Sequence, residues 1–178
     1  VLAGTDQGIN ICSISGNKKT IAVIGPGQGL PDYIVTSIES AGNDLFWVGM
    51  QDKGFCLYDH LTRKIKTTAA INGWNHGQIN SMIVDDNTLW IATQAHGLLK
   101  YNIRTDSIST VKETGEFLSI KNLLKDNQGN IWLTSPEWGL IRTPGGTLKL
   151  FPLTDPPIFE HIHTILSDKE GNIWVNDE

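Results

Sequence analysis

Four tryptophans recur at an almost constant interval: Trp47, Trp90, Trp132 and Trp174 are separated by 43, 42 and 42 residues. Seven residues after each of the first three comes a glycine, Gly54, Gly97 or Gly139. A large apolar residue follows it (Phe55, Leu98, Leu140), and four residues past the glycine stands Tyr58, Tyr101 or Thr143. Aligned, the segments read FWVGMQDKGFCLYD, LWIATQAHGLLKYN and IWLTSPEWGLIRTP. The opening VLAGTDQGINIC fits the same frame, with Leu2 in the tryptophan column, Gly8 in the glycine column and Cys12 in the tyrosine column. The final IWVNDE begins another copy. A fixed period of this size marks a stacked repeat, because one unit has two apolar faces and no way to bury them alone.

Within one period the pattern predicts four short strands. In the copy around Trp47 these are Val35–Glu39, Leu45–Met50, Phe55–Asp59 and Lys64–Thr68, with turn residues over Ser40–Asp44. The next copies give Gln78–Val84, Leu89–Thr93, Leu98–Asn102 and Ser107–Lys112, then Ser119–Leu124, Ile131–Thr134, Leu140–Thr143 and Thr147–Phe151. No stretch has helical periodicity, so the chain is expected to be all-β. Four-stranded antiparallel units of about 42 residues are what β-propeller blades look like in sequence. Residues 1–178 then form one segment of about four blades, an excerpt of a larger ring. The tryptophan column lies on the second strand of each blade and is expected to fill the space between neighbours. The repeat also accounts for most of the 18 Gly and 6 Trp.

Composition narrows the function. The net charge is −5 and Lys and Arg form no cluster, which excludes the concentrated basic surface that nucleic acid requires. Apolar runs are far shorter than the roughly 20 residues of a membrane-spanning helix. No basic-then-apolar signal segment opens the chain, so its first residue is expected to be internal to a longer protein or already processed. Cys12 and Cys56 sit in alternating apolar stretches, the setting of free thiols. No cysteine–histidine cluster has metal-ligand spacing, so no metal and no cofactor are expected. The segments Asp126-Asn127-Gln128-Gly129-Asn130 and Asp168-Lys169-Glu170-Gly171-Asn172 join first and second strands. They carry too few carboxylates for a calcium loop and read as hairpin turns.

With these residues aligned, the copies resemble the two-component regulator propeller repeat: apolar, Asp, two spacers, Gly-Asn, apolar-Trp, a short gap, then Gly-Leu and an aromatic. The pattern is clearest over Leu123–Thr143 and Ile165–Asp177 and looser over Ile83–Tyr101. The copy around Trp47 departs from it at Ser40-Ala41-Gly42-Asn43-Asp44, and the first copy lacks the tryptophan. The resemblance implies the periplasmic sensor region of a hybrid two-component system, responding to glycan fragments and signalling to a histidine kinase absent from this chain. It implies no catalysis by this segment, an oligosaccharide ligand, self-association or homodimerisation of the parent sensor, no direct nucleic-acid partner and no membrane contact by the segment. A propeller lyase or hydrolase and a protein-interaction scaffold are the alternatives.

Propeller geometry puts the second-to-third-strand loops and the blade-to-blade connections on one face. There the sequence places Trp74, Asn75 and His76, then Gln94 and His96, then Glu137 and Trp138. Trp74 and Trp138 are the two tryptophans outside the repeated column, and aromatics beside polar side chains suit a sugar site. Each also has a structural reading, packing under its own loop or capping the next blade. His161-x-His163 places two imidazoles on one strand face with no third ligand evident. Asp155-Pro156-Pro157 reads as a rigid link.

Overall fold

The computed structural model describes residues 1–15, 18–66, 72–114, 119–143, 149–150 and 162–177. Its strands are β1 (Leu2–Thr5), β2 (Gly8–Ser15), β3 (Lys18–Ile24), β4 (Val35–Gly42), β5 (Leu45–Met50), β6 (Phe55–Asp59), β7 (Lys64–Lys66), β8 (Ile79–Asp85) and β9 (Thr88–Thr93). There follow β10 (Leu98–Asn102), β11 (Ser107–Thr110), β12 (Asn122–Lys125), β13 (Ile131–Ser135), β14 (Gly139–Thr143), β15 (Lys149–Leu150), β16 (Ile162–Ser167) and β17 (Ile173–Asp177). They form five antiparallel meanders in chain order: β1–β3, β4–β7, β8–β11, β12–β15 and β16–β17. The all-β, blade-by-blade reading holds.

Several strand ends differ from expectation for local reasons. Strand β4 runs on to Gly42, because a two-residue turn at Asn43 and Asp44, both at positive φ, lets Gly42 pair with Leu45. Strand β11 stops at Thr110, and a 3-10 turn over Lys112–Thr114 follows, tied by Thr114 Oγ1 donating to the Val111 carbonyl at 2.8 Å. Ser119–Lys121 precede β12 and are not strand. A second 3-10 turn spans Pro26–Gln28. The outer parts of Lys64–Thr68 and Thr147–Phe151, the Asp155-Pro156-Pro157 link and His161 lie outside the described residues.

The apolar cores lie between sheets, as stacked two-faced units require. Along β5, Phe46, Val48 and Met50 face the first sheet, where they meet Ile9, Ile11 and Ile24. Trp47, on the other face, packs with Ile79, Leu89 and Tyr101 of the third sheet. Trp90 repeats this against Leu123 of the fourth sheet and Ile120 just before it, and Trp132 against Ile162 and Ile165 of the fifth. Trp47 and Trp90 are 4% and 6% exposed, but Trp174 is 62% exposed. Trp174 thus departs from the expected core position, because no described sheet covers its face. Both thiols are free, and burial pushes that of Cys56 up to about 12.

The strands β4, β8, β12 and β16 lie against one another in succession, which places the first strand of each sheet innermost. Polar bonds join them from blade to blade. Glu39 Oε1 accepts from the Val84 amide at 3.2 Å, Ser81 Oγ from the Leu123 amide at 3.2 Å, and Lys125 Nζ meets Asp85 Oδ1 at 2.7 Å. Burial raises the Glu39 carboxyl above the usual carboxylate range, opposed by the bonds from Val84 and Ser40.

The Asp-x-x-Gly-Asn turn has a more specific structure than a plain hairpin. Asp126 accepts from the Gln128 amide at 2.9 Å and from the Asn130 amide, the Asn130 Nδ2 and the Trp132 Nε1 at 2.8 Å each. Asp168 does the same for Asn172 and Trp174. Burial is the largest influence on Asp126 and raises its carboxyl, but the bonds from Asn130, Trp132 and Gln128 outweigh it and hold it below the ordinary value. Asp168 is lowered by its bonds from Asn172 and Trp174. The carboxylates therefore serve their own turns, in keeping with a hairpin reading over a calcium one.

These turns yield a stability prediction. Replacing Asp126 by Ala strands the Trp132 indole N–H and loosens the turn, and should cost about 1–2 kcal/mol in urea unfolding. Because both aspartates are lowered in the folded state, their contribution is complete above the unfolded value near 3.8 and fades as pH falls through the depressed folded values. The Asp126→Asn, Asp168→Asn protein should show a flatter loss of thermal stability between pH 5 and about 2 than the unsubstituted chain. An unchanged acid profile would contradict this assignment.

Candidate functional site

The loop between β7 and β8 and the turn between β9 and β10 come together at the end of the blades where those classes of connection meet. Trp74 occupies this junction. Its indole N–H donates to the Gly77 carbonyl at 2.9 Å, closing its own loop. Its ring packs edge-to-face on buried Phe55, centroids 6.0 Å apart. It also covers Gly54, where an added Cβ would lie 2.9 Å from Trp74 Cδ2. Gly54 has a φ of +71°, so two independent constraints select glycine there.

On the far side of Trp74, the half-buried His76 ring meets it edge-on, with centroids 5.0 Å apart. His76 in turn faces His96 at 5.5 Å and an interplanar angle of 86°. Burial, and secondarily the neighbouring His96, holds the His76 imidazole below its usual value. His96 is fixed from its backbone: its amide donates to Thr93 Oγ1 at 3.0 Å, and that hydroxyl donates to the Gly97 carbonyl at 2.8 Å. A cavity of about 240 Å³ opens here, lined by Asn75, His76, His96 and Thr110. Of the sequence candidates, Trp74, Asn75, His76 and His96 are thus assembled into one place. Thr110, at the end of β11, was not anticipated, because nothing in a Ser-Ile-Ser-Thr strand marks the residue that reaches a neighbouring loop.

The remaining candidates stand apart. Gln94 is exposed, and its amide donates to the Gln78 carbonyl at 2.9 Å. Glu137 Oε2 accepts from Ser135 Oγ at 2.6 Å, and Trp138 is 55% exposed. None of the three lines the histidine cavity. A larger hollow of about 480 Å³ lies at the other end of the blades, between the first two sheets, with Leu2, Ile11, Ile38, Phe46 and His60 in its wall. Another of about 250 Å³ separates the Asp126 and Asp168 turns. Among the described residues no three His, Cys, Asp or Glu side chains gather as a metal cluster, and no helix is long and apolar enough to cross a membrane.

Comparison with solved structures is consistent with this architecture. The extracellular domain of a one-component system from B. thetaiotaomicron superposes with a TM-score of 0.77 at 24% identity, covering 99% of this chain and 24% of that one. The extracellular domain of a hybrid two-component system from the same organism gives 0.76 at 22% identity, covering 97% and 23%. The WD40 β-propeller domain of Doa1 gives 0.63 at 16% identity, covering 98% and 58%. The chain folds as β-propeller blades. It spans about a quarter of the length of the two extracellular domains, one of which comes from the class of system that the repeat resembles. No protein-family model and no curated protein matches it.

The Gly54–Trp74 contact can be tested directly. Gly54→Ala should lower stability by about 1–3 kcal/mol, through the left-handed backbone and the collision with the indole. Gly27→Ala, with open space at its Cβ, should be near neutral. Urea titrations followed by tryptophan fluorescence distinguish the two, and equal effects would refute the packing argument.

Proposed function

We propose that this chain is a ligand-sensing propeller segment of an extracytoplasmic receptor of the hybrid two-component type. In this reading it responds to glycan fragments and passes the signal to a histidine kinase elsewhere in a longer protein. The observation that carries the proposal is the cavity of about 240 Å³ lined by Asn75, His76, His96 and Thr110, with the Trp74 ring packed behind His76. A flat apolar surface with directional polar groups is what a sugar ring needs. The fold shared with the two extracellular domains supports the setting. The cavity suits recognition: its described lining offers imidazole, amide and hydroxyl groups. Glu137 and Trp138, on the neighbouring blade, give a second contact for a ligand longer than one sugar. The parent sensor is read as self-associating, with no nucleic acid or membrane contact made by this segment.

Calorimetry with a panel of defined oligosaccharides, on the complete extracellular region, tests the reading. One oligosaccharide class should bind saturably, and Asn75→Ala should weaken it about tenfold through loss of a hydrogen bond to the sugar. Glu137→Ala should weaken only the longer members. No binding across the panel, together with saturable binding of a protein partner, would favour the interaction-scaffold reading.

A further inference from the structure

We propose that His76 and His96 form a two-imidazole site for a divalent transition-metal ion, with Asn75 and Thr110 beside it as oxygen donors. The two histidines come from different connections, twenty residues apart in the chain, yet their ring centroids stand 5.5 Å apart. Two imidazoles bound through nitrogen to one zinc-sized ion, each at about 2.0–2.1 Å, hold their ring centres about 5 Å apart. The observed separation is therefore close to that of a bound pair. The rings meet edge to face at 86°, so ligation turns an imidazole about its Cβ–Cγ bond to aim both nitrogens at one point.

The pair is also held in place before any ion arrives. His76 is braced by Trp74, itself seated on Phe55 and bonded to Gly77. His96 is anchored through Thr93. This shell sets where the two side chains stand, and among the described residues no hydrogen bond occupies their ring nitrogens.

The donor set also defines the ion. Imidazole suits zinc, copper and nickel, whereas calcium and magnesium prefer all-oxygen sites. Among the described residues no carboxylate lines the cavity, so the described lining offers a hard cation no charged oxygen. With two protein nitrogens, the remaining coordination positions stay open to water or to oxygens of a ligand. This separates the site from a closed structural zinc centre with four protein ligands. The inference does not depend on the glycan reading, since the ion is held by the chain's own side chains.

The test uses the tag-free chain titrated with zinc and copper(II) chlorides by calorimetry at pH 7.5. His161→Gln and His163→Gln are introduced together in a parallel protein, so that the second histidine pair of the sequence is accounted for. One ion per chain should bind with a dissociation constant of about 1–100 µM, in both proteins alike, and calcium and magnesium should give no heat. His76→Gln and His96→Gln should each weaken binding about tenfold or more. Zinc added to the unsubstituted chain should shift the ring resonances of His76 and His96 in imidazole NMR spectra and leave those of His60 unmoved, a readout that needs no variant to fold. Absence of saturable binding, binding lost only with His161→Gln and His163→Gln, or ring shifts confined to other histidines would each overturn the site. No sugar enters these measurements, so their failure leaves the glycan reading intact, and the reverse also holds.

Discussion

The bond from the Trp132 indole to the Asp126 carboxylate, 2.8 Å long, links a turn to a core. A carboxylate in a tight turn is ordinarily an exposed local cap. Here it also receives the one polar atom of the side chain that fills the gap to the next blade. The indole can then lie against the neighbouring sheet with its N–H bonded, and the turn gains a partner six residues further on. Where the turn is the shorter Asn43-Asp44 or Asp86-Asn87, no aspartate reaches the indole, and the buried Trp47 and Trp90 Nε1 atoms have no hydrogen-bond partner. An unpaired buried N–H costs about 1–3 kcal/mol. Those blades offset it differently, Trp47 by edge-to-face contacts with Phe55 and Tyr101 at 5.7 and 5.6 Å, and Trp90 by the Lys100 ammonium at 4.4 Å over its ring.

The same logic separates the two ends of the blades. At the end bearing the Asp126 and Asp168 turns, the acidic side chains are engaged internally, and Lys125 is paired with Asp85. At the opposite end, backbone amides donate the bonds that tie the connections down. The Gln51 amide donates to the Ile34 carbonyl, the Asp52 amide to Asp32 Oδ2, and the Ile120 amide to the Thr93 carbonyl. Loops held by their backbone and presenting unengaged imidazole, amide and hydroxyl groups are the usual place for recognition on a rigid scaffold.

The repeat made the architecture legible, because a period of 42 or 43 residues with Trp, Gly and Tyr at fixed offsets leaves few alternatives. It also located the aromatic and polar loops on one end of the blades. What could not be read was convergence in space. His76 and His96 share no motif and meet only because a long blade-to-blade loop folds back over the β9–β10 turn. The Asp126–Trp132 bond was hidden for another reason: its six-residue offset was in plain view, but an aspartate in a turn and a tryptophan in a strand each have a sufficient local explanation. Trp174 shows the limit of column reasoning. An identical repeat position gives burial only where a neighbouring sheet supplies the other wall.

The glycine column connects this fold logic to the candidate site. Gly97 and Gly139 share with Gly54 the positive φ that opens the third strand of a blade, and Gly54 lies beneath a tryptophan from outside the repeat. A backbone requirement common to every blade thereby leaves, in one of them, a flat surface bare of any Cβ. Trp74 occupies that surface, and His76 then stacks against Trp74 and faces His96. The site is thus built on a feature the fold already needed.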